Sequence, residues 1–318
     1  MSSLAELSTS TALQPESSWH FFRLLSTGAL TPGRAWENPG YRFKFMLRSL
    51  NTPRMTGKLL ANLAKQPYLM QILDVQPGLP CRLHRPWLSV HTDHQQTIEA
   101  LSRHYQQLLS HLPEGVTQGY LSPHGALLAT LNGKDGQQYA IRLNADAMQD
   151  KEGEATLTFR DENNTVLAEL TFTLCQFNGV DTFYIGGLQG AKAHVPHQLI
   201  QAATKACHGL FPKRLVVDAL LTLATPLSVE HVRAVSNETH IYQSLRYRRK
   251  KRDKLHADYN SFWESLSATV DSKGDYVLPL VLPRKTMEEI ASKKRAEYRR
   301  RYELLDTLQQ QILQASTR

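Results

Sequence analysis

The sequence predicts an α+β chain with a helical N-terminal part and a central antiparallel β-meander packed with C-terminal helices. Three observations predict it. Apolar residues recur at spacings of three and four before Pro113 and after Gly190, but alternate with polar ones between those points. Clusters of Gly, Asn and Asp separate the alternating runs at hairpin distances. At 318 residues, with 41% hydrophobic and 21% charged side chains, the chain can bury a large core as one domain or two.

Residues 1–15 are rich in Ser and Thr and are expected to be disordered. Residues 16–112 form the helical N-terminal region, with turns at Thr31-Pro32-Gly33 and Asn38-Pro39-Gly40. Its last helix is expected over 94–112, where Ile98, Leu101, Tyr105, Leu108 and Leu112 share a face. Residues 113–283 form the α+β core. Strands are predicted at 125–131, 137–143, 154–160, 165–177 and 181–188, with hairpin connections at 132–136 and 161–164. Pro196 opens a helix to about His208, and Pro212 a second to about Ala224. A strand is expected at His231–Ser236, a short helix at 258–267, and an edge strand bounded by prolines at 276–282. Residues 284–318 are predicted to be one long basic helix from about Arg284 to Gln314.

Composition narrows the function. No run approaches the ~18–20 apolar residues of a membrane span. The N-terminus has neither a basic start nor an apolar stretch, so no secretory signal is predicted. The three cysteines, Cys81, Cys175 and Cys207, are odd in number and predict reduced thiols rather than a disulfide framework. A cytoplasmic protein, peripheral on the inner membrane if it meets a membrane at all, is the expectation. Charge is uneven. Between Arg246 and Arg301 stand 16 Lys/Arg and 8 Asp/Glu, and the remainder of the chain carries 21 of each. Such a region attracts polyanions, whether nucleic acid, an anionic membrane face or a phosphate-bearing cofactor.

The candidate cofactor-binding residues are Gly186, Gly187, Gln189, Gly190 and Lys192, between a strand and a helix. Glycines there let a backbone approach a ligand, and the following helix N-terminus offers unpaired N–H groups to an anion. The dinucleotide and P-loop spacings are missing, and a strand end bending toward a helix accounts for the same residues. The candidate anion- or partner-binding residues are Arg246, Arg248, Arg249, Lys250, Lys251, Arg252 and Lys254, which suit lipid headgroups or phosphodiesters and equally a solvated loop. No catalytic residue is assigned. Asp218 and Glu238 are weak candidates for a general base should they border the Gly-rich turn. Cys81, His84, His91, Asp93 and His94 lie within fourteen residues, but their spacing matches no zinc arrangement, so no metal is predicted. Tyr259, Phe262, Trp263 and Leu266 share one helix face, for core packing or for a partner.

Several of these stretches together carry a resemblance. Gly186-Gly-Leu-Gln-Gly190, Cys207-His-Gly-Leu-Phe-Pro-Lys213, Val235-Ser-Asn237, Asp258-Tyr-Asn-Ser-Phe-Trp-Glu264 and the earlier Arg103-His-Tyr105 resemble the VirK/YbjX family of Gram-negative bacteria, over about residues 40–305. The resemblance implies a part in virulence, in envelope integrity and surface display of an outer-membrane protein, and in tolerance of cationic antimicrobial peptides. It supplies no catalytic residues. At the level of fold, the meander, glycine-containing turn, helix and later strand are similar to the GNAT acyltransferases, in which the turn cradles the coenzyme A pyrophosphate; here Gln189-Gly190-Ala191-Lys192-Ala193 matches the R/Q-x-x-G-x-G/A loop only loosely.

Three functions therefore compete. The first is envelope support from the cytosol through contact with anionic lipid or an acidic protein partner. The second is a GNAT-like acyltransferase using acyl-CoA. The third is nucleic-acid binding, which no recognised binding signature accompanies and which ranks last.

Overall fold

A computed structural model describes residues 14–134, 136–145, 147–251 and 258–317, with residues 249–251 described by backbone alone. The chain divides into two units, Met1–His84 and Arg85–Arg318. Of the stretch expected to be disordered, only Gln14 and Pro15 fall within the described residues.

The first unit is helical. It comprises α1 (Ser18–Thr27), α2 (Arg34–Glu37), α3 (Pro39–Asn51), α4 (Pro53–Ala64), α5 (Leu69–Val75) and a 3₁₀ turn at Leu79–His84. Both predicted interruptions are present. Asn38 caps α3 by accepting from Gly40 N at 2.8 Å, with Pro39 at the first helical position. Trp36, Phe45, Leu59, Leu60 and Ile72 are among its buried core residues, and Trp36 donates to Pro77 O at 2.7 Å.

The second unit begins with α6 (His94–His111), fixed by a capping box between Asp93 and Gln96, and α7 (Glu114–Tyr120). Strands β1 (Ala126–Asn132), β2 (Gln138–Asn144), β3 (Ala155–Arg160), β4 (Val166–Phe177) and β5 (Val180–Gly190) are the predicted meander. Then come α8 (His197–Ala206), α9 (Pro212–Leu223), β6 (His231–Ala234), α10 (Leu245–Lys251), α11 (Tyr259–Ser265), β7 (Thr269–Val270), β8 (Tyr276–Leu278) and α12 (Ser292–Ser316). Among the described residues the strands form one sheet in the order β1-β2-β3-β4-β5-β6-β8-β7, antiparallel throughout except for the parallel pair β5 and β6. The fold is α+β.

Two elements differ from expectation. The strand at 276–282 is not at an edge: β8 ends at Leu278 and lies between β6 and the two-residue β7. The Asp271 side chain accepts from Lys273 N and Asp275 N and folds the chain back on itself, which makes the hairpin. The long helix starts at Ser292, not Arg284. In 284–291 the Glu289 carboxylate accepts from Thr286 N at 2.6 Å, a local side-chain bond that competes with helix formation.

Alternation along the strands gives the sheet two unlike faces. One is apolar, with rows such as Leu143–Leu157–Leu170–Leu188, and α9 packs across β3, β4 and β5. The other is polar. Its rows run Arg142–Thr158–Glu169–Gln189 and Asn144–Thr156–Thr171–Gly187. Most of this polar face is also buried. Leu305, Leu308 and Ile312 of α12 are buried, and α12 lies on β1 and α9. Gln311 of α12 grips the backbone of β1, accepting from Thr130 N at 2.7 Å and donating to Thr130 O at 2.9 Å.

The Arg103-His104-Tyr105 stretch of α6 ties the helix to the sheet. Arg103 pairs with Asp181, and the Tyr105 hydroxyl donates to Glu154 at 2.7 Å. β4 outruns β3, so Leu174 N has no strand partner on that side and donates instead to His104 Nδ1 at 3.1 Å. His104 Nε2 then carries its proton toward the Tyr120 hydroxyl at 3.0 Å. Complete burial pushes the His104 pKa down to about 3. Between that value and the ordinary 6.5, the unfolded chain binds a proton that the native chain refuses. Stability is therefore highest above pH 6.5 and falls as pH drops through this window, by about 1.4 kcal/mol per pH unit from this group alone. His104→Asn, which keeps an acceptor for Leu174 N, is expected to flatten urea-unfolding stability between pH 4.5 and 6.5 by about 2 kcal/mol. An unchanged pH dependence would assign the acid sensitivity to other groups.

Candidate functional site

The parallel pair sets the site. β5 and β6 run together from Thr182 and His231 to Ile185 and Ala234, and Val235 N still donates to Ile185 O at 3.0 Å. Beyond that point the strands part. Gly186 is a bulge on β5, because Thr171 of β4 faces Gly187 while its neighbour Phe172 faces Ile185. From there Leu188 N donates not to β6 but to the Tyr259 hydroxyl at 3.2 Å. On the opposite side of the wedge, Val235 O accepts from Trp263 Nε1 at 2.9 Å. Two aromatic residues of α11 thus span the gap between the strands, and both are buried.

The double glycine exists because another segment crosses it. A Cβ on Gly186 would overlap the carbonyl oxygen of Glu152 and lie 2.8 Å from its carbonyl carbon. A Cβ on Gly187 would overlap the Glu152 carboxylate. Glu152 belongs to the connection from β2 to β3, which lies against the polar face of the sheet. Its side chain is buried, and Gln189 Nε2 donates to its two oxygens at 3.2 and 3.0 Å. The Tyr242 hydroxyl also bonds to Glu152, and burial and that carboxylate raise its pKa, so it stays protonated. His240 Nε2 lies 3.5 Å from Glu152 Oε1. Tyr242 N donates to His240 Nδ1 at 3.2 Å, which places the proton of a neutral ring on Nε2, facing the carboxylate. The Tyr259 ring stacks on His240 with centroids 5.3 Å apart. Behind this group Gln149 donates to Glu169 at 2.6 Å, so the buried carboxylates each hold an amide.

Three of the five sequence stretches that carried the resemblance meet here. Ser236 Oγ accepts from Glu238 N and Thr239 N in a tight turn after β6. Asn237 then binds the start of α11, accepting from Tyr259 N and receiving Asn260 Oδ1 on its own N–H, each at 2.9 Å. Val235-Ser-Asn237 and Asp258-Tyr-Asn260 are two halves of one joint, which holds α11 in the wedge beside Gly186-Gly187.

The predicted site residues disperse around it. Gly186, Gly187, Gln189 and Gly190 lie inside β5, not in a turn after it; Gln189 is held by Glu152, and Gly190 sits beside the stem of Lys213, whose pKa burial lowers. Lys192 follows β5 and is exposed. Glu238 stands at the rim of the wedge, exposed, and accepts from Asn260 Nδ2. Asp218 is on α9, where burial raises its pKa against the pull of Arg214, 2.6 Å away. Arg246 and Arg248 are on α10, of Arg249, Lys250 and Lys251 only the backbone is described, and Arg252 and Lys254 lie outside the described residues. Asp93, weighed as a metal ligand, caps α6. Glu152 and His240 were not singled out because each sits in a short polar loop. The signal that could have found them is the adjacent pair of glycines within a strand, which implies close approach by another segment.

Comparison with known proteins agrees with the converging motifs. A family described as "Protein of unknown function (DUF535)" matches residues 34–314. The chain is 49% identical over 312 residues to "Uncharacterized protein YbjX" of Escherichia coli (strain K12), covering 98% of this chain and 94% of that one. It is 32% identical over 179 residues to an "Uncharacterized protein" of Haemophilus influenzae, 55% of this chain and 57% of that one. It is 24% identical over 195 residues to "Membrane protein LapB" of Mannheimia haemolytica, 60% of this chain and 80% of that one. Among the described residues, no helix is long and apolar enough to cross a membrane. The chain belongs to the DUF535 family, the family of YbjX, as the resemblance to the VirK/YbjX proteins implied.

Proposed function

We propose that the second unit is an acyltransferase that takes an acyl-CoA thioester into the wedge between β5 and β6. The observation that supports this is the parting of a parallel strand pair at a glycine bulge, beside a buried carboxylate. Parted strands leave inward-facing backbone groups that an extended, amide-bearing chain can pair with as an added strand. The pantetheine arm of coenzyme A is such a chain. Its first partner is Leu188 N, which the Tyr259 hydroxyl now occupies. The arm's phosphate end then meets the connection from Gly190 to α8, whose N-terminus has no side-chain cap, with Lys213 alongside. Glu152 accepts the proton as an amine or hydroxyl attacks the thioester carbonyl; the C–S bond breaks and the thiol leaves carrying that proton.

Thermal-shift titration with acetyl-CoA and longer acyl-CoAs tests it. A ligand that binds only the native chain raises the midpoint with its saturation. The rise is expected to be dose-dependent and to disappear in Gly190→Asp. A Cβ there meets only Lys213 Cε at 3.7 Å, so the new carboxylate fits and repels phosphate. No shift at millimolar acyl-CoA would leave the wedge as a joint sealed by α11.

A second reading is peripheral contact with an anionic membrane in support of the envelope. It is supported by the name of the Mannheimia haemolytica relative, "Membrane protein LapB", and by the basic residues Arg246 and Arg248 on α10. Its test is recovery of the protein with anionic but not neutral vesicles at low salt.

A further inference from the structure

We infer that the first unit carries its own docking face for an anionic phospholipid surface, made by α1, α3 and α4. This inference rests on the membrane reading above and gives it a site other than α10. Phe43, Leu47 and Leu50 follow one another at helical spacing on α3 and are 55%, 49% and 67% exposed. Trp19 of α1 is 70% exposed, its ring stacked on Phe22 at 5.6 Å. Trp19, Phe22 and Leu50 line one shallow apolar groove of about 210 Å³, with Pro53 and Leu60 of α4, so Leu50 joins the exposed row on α3 to Trp19.

Charge selects the occupant. The three helices hold Arg23, Arg42, Lys44, Arg48, Arg54 and Lys58 and no acidic residue. Residues 1–84 carry nine Lys/Arg against four Asp/Glu, whereas 85–245 carry eleven against fifteen. The apparent neutrality of the chain outside its C-terminal basic stretch is the sum of a basic helical unit and an acidic stretch that holds most of the sheet. An apolar patch with an exposed tryptophan, on three helices whose charged residues are all cationic, suits the boundary between acyl chains and phosphate headgroups. An amphipathic helix of this kind lies in the plane of the membrane rather than across it.

The tryptophans supply a reporter. Trp36, Trp87 and Trp263 are at most 1% exposed, so a change of environment on binding is read at Trp19. The full chain is sedimented with vesicles of phosphatidylglycerol and phosphatidylcholine, and with phosphatidylcholine alone. Recovery with the anionic vesicles is expected, with a blue shift of emission and quenching by brominated acyl chains, both lost in Trp19→Phe. Phe43→Ser with Leu47→Ser and Leu50→Ser, all exposed positions, is expected to weaken partitioning about tenfold or more. Lys44→Glu with Arg48→Glu is expected to do the same, and Arg246→Gln with Arg248→Gln to lower recovery while the bound fraction keeps its Trp19 blue shift. If the α3 variants bind like the parent while the α10 variant loses binding, the face is refuted and the membrane reading stands. If no form is recovered, both fall. If the α3 variants instead abolish self-association in velocity sedimentation and no vesicle binding is seen, a second copy covers the face and the inference is overturned.

Discussion

Gly186→Ala is expected to cost about 3 kcal/mol of stability, at the upper end of what overpacking usually costs. Nothing about the glycine's own backbone demands it, since its φ lies outside the left-handed region. The cost comes from the atom it would meet. The carbonyl of Glu152 is backbone, fixed between Glu152 N, which donates to Gln149 O, and Glu154 N, which donates to Phe172 O. It cannot swing away as a side-chain tip can. Gly187→Ala meets the Glu152 carboxylate, which can move by giving up its bonds to Gln189 and Tyr242, so a smaller loss of about 2 kcal/mol is expected. Gly190→Ala, with only Lys213 Cε at 3.7 Å, should stay within about 0.5 kcal/mol of the parent. Urea unfolding of the three variants checks the order. Equal losses at all three positions would show that strand propensity, not the crossing of Glu152, sets the requirement for glycine.

Glu152→Ala is the second large effect, an expected loss of about 3 kcal/mol. The substitution leaves Gln189 Nε2 and the Tyr242 hydroxyl without their acceptor in a buried site and removes the group that His240 Nε2 faces. Glu152→Gln separates charge from volume. It keeps the packing but turns an NH₂ toward donors, and should cost only about 1–2 kcal/mol. If Glu152 is the base in acyl transfer, the same variant should retain acyl-CoA binding while turnover falls about a hundredfold or more. Full turnover in Glu152→Gln would leave the carboxylate a purely structural role.

Much of this architecture is legible in the sequence. The five strands of the meander lie within about two residues of their predicted bounds because hairpin turns fix where alternation stops. The helices opened by Pro196 and Pro212 appear where those prolines place them. Periodicity could not tell what lies over the second face of the sheet. Thr156, Thr158, Glu169 and Thr171 alternate with apolar residues as solvent-facing positions do, yet they are buried, with Glu169 held by Gln149 of the connection that carries Glu152. A hydrophobic pattern records which side chains avoid water and says nothing of polar ones satisfied by one another. The partner of β8 was missed for a related reason: β7 is two exposed residues, Thr269 and Val270, too short to establish a period. The site was legible only in outline. The glycines and the Asp258–Glu264 stretch stood out, but the carboxylate and imidazole between them come from loops whose composition is that of any surface turn.

The grip of Gln311 on Thr130 has a consequence for the chain during synthesis. β1 is the rim of the sheet, and the Gln311 amide offers Thr130 the donor and acceptor that a neighbouring strand would. Gln311 is made 181 residues after Thr130. While those residues are added, the bare rim can template a strand from any other nascent chain, the hazard that unguarded sheet edges carry. Translation at about 5–20 residues per second makes that interval roughly ten to forty seconds long. The closing helix therefore acts as a late guard against aggregation, and a ribosome stalled before Gln311 would hold a sheet whose strands are all made but whose rim is still adhesive.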